Sequence, residues 1–526
     1  MIDDFVTRNL PPRDQWPDFS EEAFVYPEAL NAAVELLDRA VLDGDGARIA
    51  VLNDLVSVSY AELKDQSDRI ARLLSEGEGL VAGNRVLLLG ANSALLIAAW
   101  FGVLKAGGVV VAVMPLLRAA EIAAVIAKAQ VSHAIIDNGL AAVVETAGLT
   151  SVLLYDGDRG TGALEARLVD TAPGFAAAGT HRDDPAIIAF TSGTTGVPKG
   201  TVHFHRDLLV VADTFARHIL QPPAGAVWSA TPPLAFTFGL GALILFPFRF
   251  RGTAVTLADT SAAGVLAAVA RHRISHLFTA PTAYKAMLAV GPKTHDLTSL
   301  TTCVSAGEHL PTKTFEAWQT ATGLRLINGI GATEMMHIFI SASAGNIRAG
   351  ATGRVVPGYT ACVLDANNRP MAHGEGRLAV KGPTGCRYLA DARQIAYVID
   401  GWNVTGDSYR LDADGYFWYL ARADDMIVSS GYNIAPPEVE AALAMHASVA
   451  ECAVIGVPDD ARGMLVKAFV VLAPDIEANP ELAKLLQDHV KAMIAPYKYP
   501  REVSFVATLP RTATGKLQRH LLREAP

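Results

Sequence analysis

The sequence predicts an α/β protein with more than one sheet, a β-rich segment late in the chain and a small α/β unit at its end. Three observations carry that prediction. Apolar runs of strand length alternate with Ala-rich helical stretches, the pattern of strands covered on both faces by helices. The texture changes after about residue 350, where GRVVPGYTACVLD, GRLAVKG and YRLDADGYFWYLAR read as strands and hairpins. After ARADDM the chain starts again, with a helix at PPEVEAALAMH, strands AECAVIGV and VKAFVVL, and a helix around ELAKLLQDHVKAMI. A domain boundary near Asp424 follows, because a short charged segment between two cores suits a hinge.

The first element of note is Val86 to Leu104, VLLLGANSALLIAAWFGVL, which is uncharged and long enough to raise a transmembrane reading. It divides instead into a strand, RVLLLG, a turn at Asn92 and Ser93, and a buried helix running into Lys105. Gly107 and Gly108 then lead into a second strand, VVVAVMP, completing a βαβ unit. Further strands are expected at SHAIID, TSVLLYD, PAIIAF, AVWSAT, GTAVTLA, SHLFTA and TTCVSA. Helical stretches such as SAAGVLAAVARHR lie between them.

Bulk properties exclude several functions. With 51% hydrophobic and 18% charged residues, the 526-residue chain can bury a large core. A net charge of -9 disfavours nucleic acid as the main partner. Cys303, Cys362, Cys386 and Cys452 are widely spaced and read as reduced thiols of a cytoplasmic protein. The N-terminus, MIDDFVTRNLPP, lacks the apolar core of a signal peptide, and no stable membrane association is expected. LDADGY fails as a calcium loop, because counting back from Gly415 places Arg410 at the first ligand position; a tight Asp-Gly turn is expected. His203 and His205 have no third ligand at metal spacing.

The chemistry-bearing text begins at TSGTTGVPKG, Thr191 to Gly200, directly after the strand PAIIAF. Its glycines, hydroxyls and one lysine suit a loop around phosphate, yet it is not the GxxxxGK[ST] nucleotide loop, since Lys199 lies between Pro198 and Gly200. Four further stretches stand out: SAGEHLP from Ser305, INGIGATEMMH from Ile327, the long run from Trp402 to Glu440, and PRTATGKLQR from Pro510. Together, in this order, the five stretches resemble those of the adenylate-forming enzymes: the acyl-CoA synthetases, peptide-synthetase adenylation domains and luciferases. The resemblance covers essentially the whole chain. Within that family NGIGATEMMHIF and YKYPREV look most like benzoate-type CoA ligases, and LPPRDQWPDF looks like the 2-aminobenzoate–CoA ligases among them.

The resemblance implies a large N-terminal AMP-binding domain, residues 1–423, of packed α/β sheets with a smaller β-rich subdomain. It implies a small mobile α+β C-terminal domain, residues 424–526, that turns about Asp424. A carboxylate would attack the α-phosphorus of ATP to give acyl-AMP, and CoA would then displace AMP. The loop residues Thr191, Ser192, Gly193, Thr194, Thr195 and Gly196, with Lys199, would hold the β- and γ-phosphates. Thr333 would reach the α-phosphate, and Glu334 would hold Mg2+, which prefers carboxylate oxygen and substrate phosphate. Gly307, Glu308 and His309 would face adenine, Asp407 and Arg422 the ribose, and Tyr419 the region of the base. Lys516 would bridge carboxylate and phosphate during adenylation, and Gly431 would line the pantetheine path.

Phe236, Phe238, Gly329, Gly331, Met336 and His337 would line the acyl pocket, where aromatic walls suit a flat ring. Phe236 stands where many relatives carry histidine. The expected function is an AMP-forming CoA ligase for an aromatic carboxylate, 2-aminobenzoate first and benzoate second. The alternatives are a free-standing enzyme loading a carrier protein, and a catalytically silent acyl- or nucleotide-binding protein. No carrier domain follows Pro526, so CoA is the expected acceptor, and a homodimer stays open as an assembly.

Overall fold

The computed structural model describes residues 1–20, 24–146, 148–191, 198–422, 425–429, 432–459, 463–512, 515 and 517–523. Two compact units emerge. One comprises Met1–Ala361 with Val380–Asn403, the other Cys362–Ala379 with Val404–Pro526.

The first unit holds two large sheets. The six-stranded sheet runs in the order Ser151–Tyr155, His133–Asp137, Arg85–Leu89, Val109–Val113, Pro185–Thr191, Lys199–Phe204. Its first five strands are parallel and the last is antiparallel. The stretch that raised a membrane reading is the strand Arg85–Leu89 followed by the helix Ala94–Lys105, every residue of which is buried. Ser93 caps that helix by accepting from the Leu96 N–H. Gly102 lets it lie close to the helix Tyr60–Arg72: a Cβ there would fall 2.7 Å from Ile70 and 3.0 Å from the Ser67 carbonyl. At its C-terminus the fully buried Lys105 ammonium donates to Asp68 at 2.7 Å and forms an ion pair with Asp38 at 2.5 Å. Twelve residues at about 1.5 Å each span roughly 18 Å, short of a bilayer core of about 30 Å. Among the described residues no helix is long and apolar enough to cross a membrane.

The nine-stranded sheet carries most of the site. Its order is Arg354–Val355, Ile338–Ser341, Leu326–Gly331, Thr302–Ser305, His276–Thr279, Val227–Ala230, Thr253–Val255, Ile49–Leu52, Ser57–Ser59. The strands from Leu326–Gly331 to Ile49–Leu52 are parallel, and the outer pairs are antiparallel. Loops after Ser305 and Gly331 therefore leave the carboxyl ends of adjacent parallel strands, where open α/β sheets bind ligands.

In the second unit, Asp407 pairs with Arg422 and Leu411 with Phe417 along one hairpin. Its turn is the expected Asp-Gly turn. Gly415 has φ +81°, and the Asp412 carboxylate accepts from the N–H groups of Asp414 and Tyr416 and from Trp418 Nε1. The remainder is an α+β unit. Strands Val449–Asp459 and Gly463–Leu472 pair antiparallel, and Glu502–Phe505 adds parallel to the latter. Helices Pro436–Ala444 and Pro480–Met493 contribute Val439, Leu443, Leu486 and Val490 to a core with Val454, Val466 and Val470.

Candidate active site

The strands on either side of the Gly/Thr-rich loop text pair antiparallel. Pro185–Thr191 and Lys199–Phe204 bring Thr191 opposite Lys199 at their open ends. Ser192, Gly193, Thr194, Thr195 and Gly196 lie outside the described residues. Gly200 is required beside Lys199, because a Cβ there would meet the Phe190 ring at 2.9 Å.

Glu334 sits in a single 3-10 turn, Thr333–Met335, at the tip of the hairpin formed by Leu326–Gly331 and Ile338–Ser341. The turn is held from three directions. His203 Nε2 donates to the Thr333 carbonyl at 2.7 Å, which fixes the proton on that nitrogen. Thr384 Oγ1 donates to the Met335 carbonyl at 2.8 Å. The Tyr388 hydroxyl donates to Glu334 Oε1 at 2.5 Å. Glu334 is 9% exposed and Tyr388 is 1% exposed. Burial first, and Glu334 second, push the Tyr388 phenol far above its ordinary range, so it remains a donor. The face of the same ring lies 5.3 Å from Lys199 Nζ, within cation–π reach.

Sequence reasoning passes over Tyr388. It belongs to a short extended segment that pairs with Lys199–Phe204: Val202 N–H donates to the Arg387 carbonyl and Leu389 N–H to the Gly200 carbonyl, both at 2.8 Å. Arg387 is wholly buried and donates to Asp207 Oδ2 at 2.8 and 3.2 Å. Burial opposes charge on Asp207 most strongly, but Arg387, His203 and Arg206 together outweigh it and hold the carboxyl below its ordinary value. His203 Nδ1 stands 3.7 Å from the same oxygen. His205 instead accepts at Nδ1 from the Ala32 N–H, and burial pushes it down to about 4. The two histidines thus hold separate structural positions, and among the described residues no group of three or more His, Cys, Asp or Glu could hold a metal ion.

Of the expected acyl-pocket residues, Phe238, Gly331 and Met336 lie at His337. Met336 takes φ +68° and the His337 N–H donates to the Met335 carbonyl at 2.8 Å, turning the chain from the 3-10 turn into Ile338–Ser341. The imidazole is 3% exposed, edge-on to Phe246 at 4.6 Å between centroids, with Phe215 at 5.4 Å and Phe238 at 5.8 Å. Gly241 leaves room for the ring: a Cβ there would lie 2.4 Å from Nε2. Burial pushes His337 down to about 3, opposed in part by the Phe238 backbone. Neither ring nitrogen makes a hydrogen bond of normal geometry. Gly329 and Gly331 serve close packing of this hairpin: Cβ atoms would fall 2.7 Å from Ile338 and from the His337 carbonyl. Phe236 precedes the short helix Thr237–Leu240, tied back by its N–H to Pro233 at 3.0 Å.

At the carboxyl end of Thr302–Ser305, Gly307 takes φ +88° with open space on its Cβ side; Glu308 is half-buried and His309 exposed. In the second unit, Arg422 Nη1 lies 3.3 Å from Asp407 Oδ1 on the neighbouring strand. Gly406, φ +77°, leaves room for that guanidinium, whose Nη2 would be 3.1 Å from a Cβ. Tyr419 packs edge-on to Tyr409 at 5.5 Å; burial first and Asp407 second raise its phenol. Asp424, Gly431 and Lys516 lie outside the described residues.

Two parallel-stranded sheets with a lysine on the loop hairpin and a carboxylate beyond a strand's carboxyl end, together with a separate small α+β unit, have the architecture of an adenylate-forming enzyme. Comparison with known proteins agrees: residues 38–388 match the model of the AMP-binding enzymes and residues 438–516 that of their C-terminal domain, and the chain belongs to this family. It is 36% identical over 514 residues to a benzoate–CoA ligase of Thauera aromatica, covering 96% of this chain and 97% of that one. Among solved structures it resembles the anthranilate CoA ligase AuaEII in complex with anthranoyl-AMP, with TM-score 0.89, 32% identity, and 95% and 98% of the two chains covered. It also resembles a benzoate CoA ligase from Burkholderia xenovorans LB400, with TM-score 0.85, 33% identity, and 94% and 100% covered. An AMP-forming acid–CoA ligase that uses ATP is the activity these relationships carry.

Proposed function

We propose that the protein joins an aromatic carboxylate to CoA, with 2-aminobenzoate as preferred acid and benzoate next. The observation that carries this reading is His337: a buried imidazole in a box of three phenylalanine rings, with neither nitrogen in a hydrogen bond of normal geometry and only the Phe238 backbone acting on it. An unsatisfied buried polar group costs about 1–3 kcal/mol. A substrate that presents an aromatic N–H would complete it, since a neutral imidazole can accept. Similarity to a benzoate–CoA ligase and to an anthranilate (2-aminobenzoate) CoA ligase supports an aromatic acid.

In the first half-reaction a carboxylate oxygen of the acid bonds to the α-phosphorus of ATP as the bond to pyrophosphate breaks, leaving acyl-AMP. In the second, the CoA sulfur bonds to the acyl carbon, AMP departs with the bonding pair, and the thiol proton is released. Lys199, Thr191 and the loop they flank would hold the β- and γ-phosphates, and Thr333 would contact the α-phosphate. Glu334 suits a magnesium site with one protein carboxylate and phosphate oxygens, because Mg2+ keeps few protein ligands. Bound there, the ion would supply neutralisation of phosphate charge. Asp407 with Arg422 would orient the ribose, Gly307 to His309 and Tyr419 the adenine, and Gly431 would leave room for the pantetheine arm. Lys516 would meet the crowded charge of adenylation. Phe236, Phe238 and Met336 would wall the ring.

Two assays test the reaction. Pyrophosphate exchange into ATP, driven by a panel of carboxylates, reads the first half, and thioester formation with free CoA reads the second. Exchange with aromatic acids followed by thioester is expected. Exchange without thioester would make the protein a loader of carrier domains, and no exchange with any acid would make it a binding protein.

A further inference from the structure

Tyr388 touches both charges that the proposed chemistry needs. Its hydroxyl donates to Glu334 Oε1 at 2.5 Å, and its ring face lies 5.3 Å from Lys199 Nζ. Among the described residues, Lys199 and Glu334 meet this side chain rather than each other. That matters because a lysine and a carboxylate in one site attract. A direct pair would cancel the positive charge meant for phosphate and occupy the oxygens meant for a cation. A tyrosine between them holds each by an interaction that leaves its charge in place: a hydrogen bond to one carboxylate oxygen, and a cation–π contact to the ammonium.

The ring is itself over-determined. The Tyr388 N–H donates to Gln394 Oε1 at 3.0 Å, and Gln394 Nε2 donates to the Gln15 and Cys386 carbonyls at 2.9 and 3.1 Å. Thr201 bridges to Tyr388 through the backbone. On its N-terminal side, Arg387 is fixed by Asp207. Such support is what a group needs to hold two others in fixed geometry. The side chain contacts Glu334 and Lys199, so its role concerns the phosphate end of the reaction.

We infer that Tyr388 is a positioning residue for adenylation: it separates Lys199 from Glu334 and holds one Glu334 oxygen so that the other is presented to a phosphate-bound divalent cation. This rests on the reading of Glu334 as the cation's carboxylate given above. It assigns Tyr388 to the first half-reaction, because displacement of AMP by CoA involves no pyrophosphate leaving group.

Two variants separate the hydroxyl from the ring. Tyr388→Phe keeps the ring under Lys199 and removes the donor; Tyr388→Leu removes both. The direct readout is Mn2+ titrated into the ATP-saturated protein and followed by electron paramagnetic resonance. Tyr388→Phe is expected to weaken Mn2+ binding about tenfold, the order of one charge-assisted hydrogen bond. In steady state, exchange should fall more than thioester formation from supplied acyl-AMP. Tyr388→Leu should add a rise in the KM for ATP that Tyr388→Phe does not show, since only the former frees Lys199. Parent-like Mn2+ affinity in Tyr388→Phe would overturn the inference. So would an equal fall of both half-reactions with a lowered Tm, which would make Tyr388 a packing residue. The Mn2+ titration needs no acid, so a protein inactive on every aromatic acid would refute the proposed substrate and leave this result readable.

Discussion

His337 is a single residue on which substrate choice can be read. If an imidazole nitrogen accepts from an ortho amine, His337→Ala should lower kcat/KM for 2-aminobenzoate more than for benzoate, by about tenfold for roughly 1.4 kcal/mol of lost hydrogen bonding. An equal loss for both acids would make it a wall and nothing more. Buried histidines also set a pH dependence. His337 is pushed down to about 3, and His205 and His276 to about 4, each chiefly by burial. The unfolded chain binds these protons below about pH 6.5, while the folded protein does not until it reaches the lower values. Stability is therefore full above pH 6.5 and falls as pH drops from there toward 4. Urea unfolding at pH 7 and pH 5 should differ by on the order of 1 kcal/mol per histidine or more; a flat profile over that interval would contradict the burial of these rings. The sequence marked His337 through its motif, but it gave no sign of Tyr388 or Arg387. Their partners, Glu334 and Asp207, are 54 and 180 residues away, and no local pattern encodes a contact of that range.

Among elements, the helix Ala94–Lys105 and the hairpin bearing Glu334 place the sharpest demands on single positions. The strand–turn–helix reading of Val86 to Leu104 was legible because Asn92 and Ser93 break the apolar run and a lysine ends it. What receives that lysine was not, since Asp38 and Asp68 come from other elements. Lys105→Met would leave the Asp38 carboxylate buried without its cation and Asp68 with Lys64 alone, and a loss of about 3–5 kcal/mol in urea unfolding is expected. A cost below about 1 kcal/mol would mean that water reaches this cluster. In the hairpin, the glycines of NGIGATE are expected to line the acyl pocket, and the structure shows what fills the Cβ side of Gly329 and Gly331: Ile338 and the His337 carbonyl. The pattern of small residues was visible, but whether a ligand or the chain itself approaches them depends on strand register, here Gly329 with Ser341 and Gly331 with Ile338.

At the scale of the whole molecule, one chain must serve two unlike reactions, and the proposed division of labour puts Lys516 in adenylation alone. Lys516→Ala should lose acyl-AMP formation by orders of magnitude yet still convert supplied acyl-AMP and CoA to thioester; equal loss in both would remove Lys516 from its role. The segment after it is well held, with Arg519 donating to Glu440 at 2.7 and 2.9 Å and Arg523 to Asp425 at 2.7 Å. The α/β class, the β-rich segment and the terminal α+β unit could all be read from alternation and turn residues, because those signals are local. The order of nine strands could not, since it joins Ile49–Leu52 to Thr253–Val255 across the chain. The central claim, an aromatic acid as substrate, is tested most directly by kcat/KM for CoA-thioester formation from 2-aminobenzoate, benzoate and a long aliphatic acid under one set of conditions. The account predicts 2-aminobenzoate first, benzoate second and the aliphatic acid far behind. A preference for the aliphatic acid would contradict it.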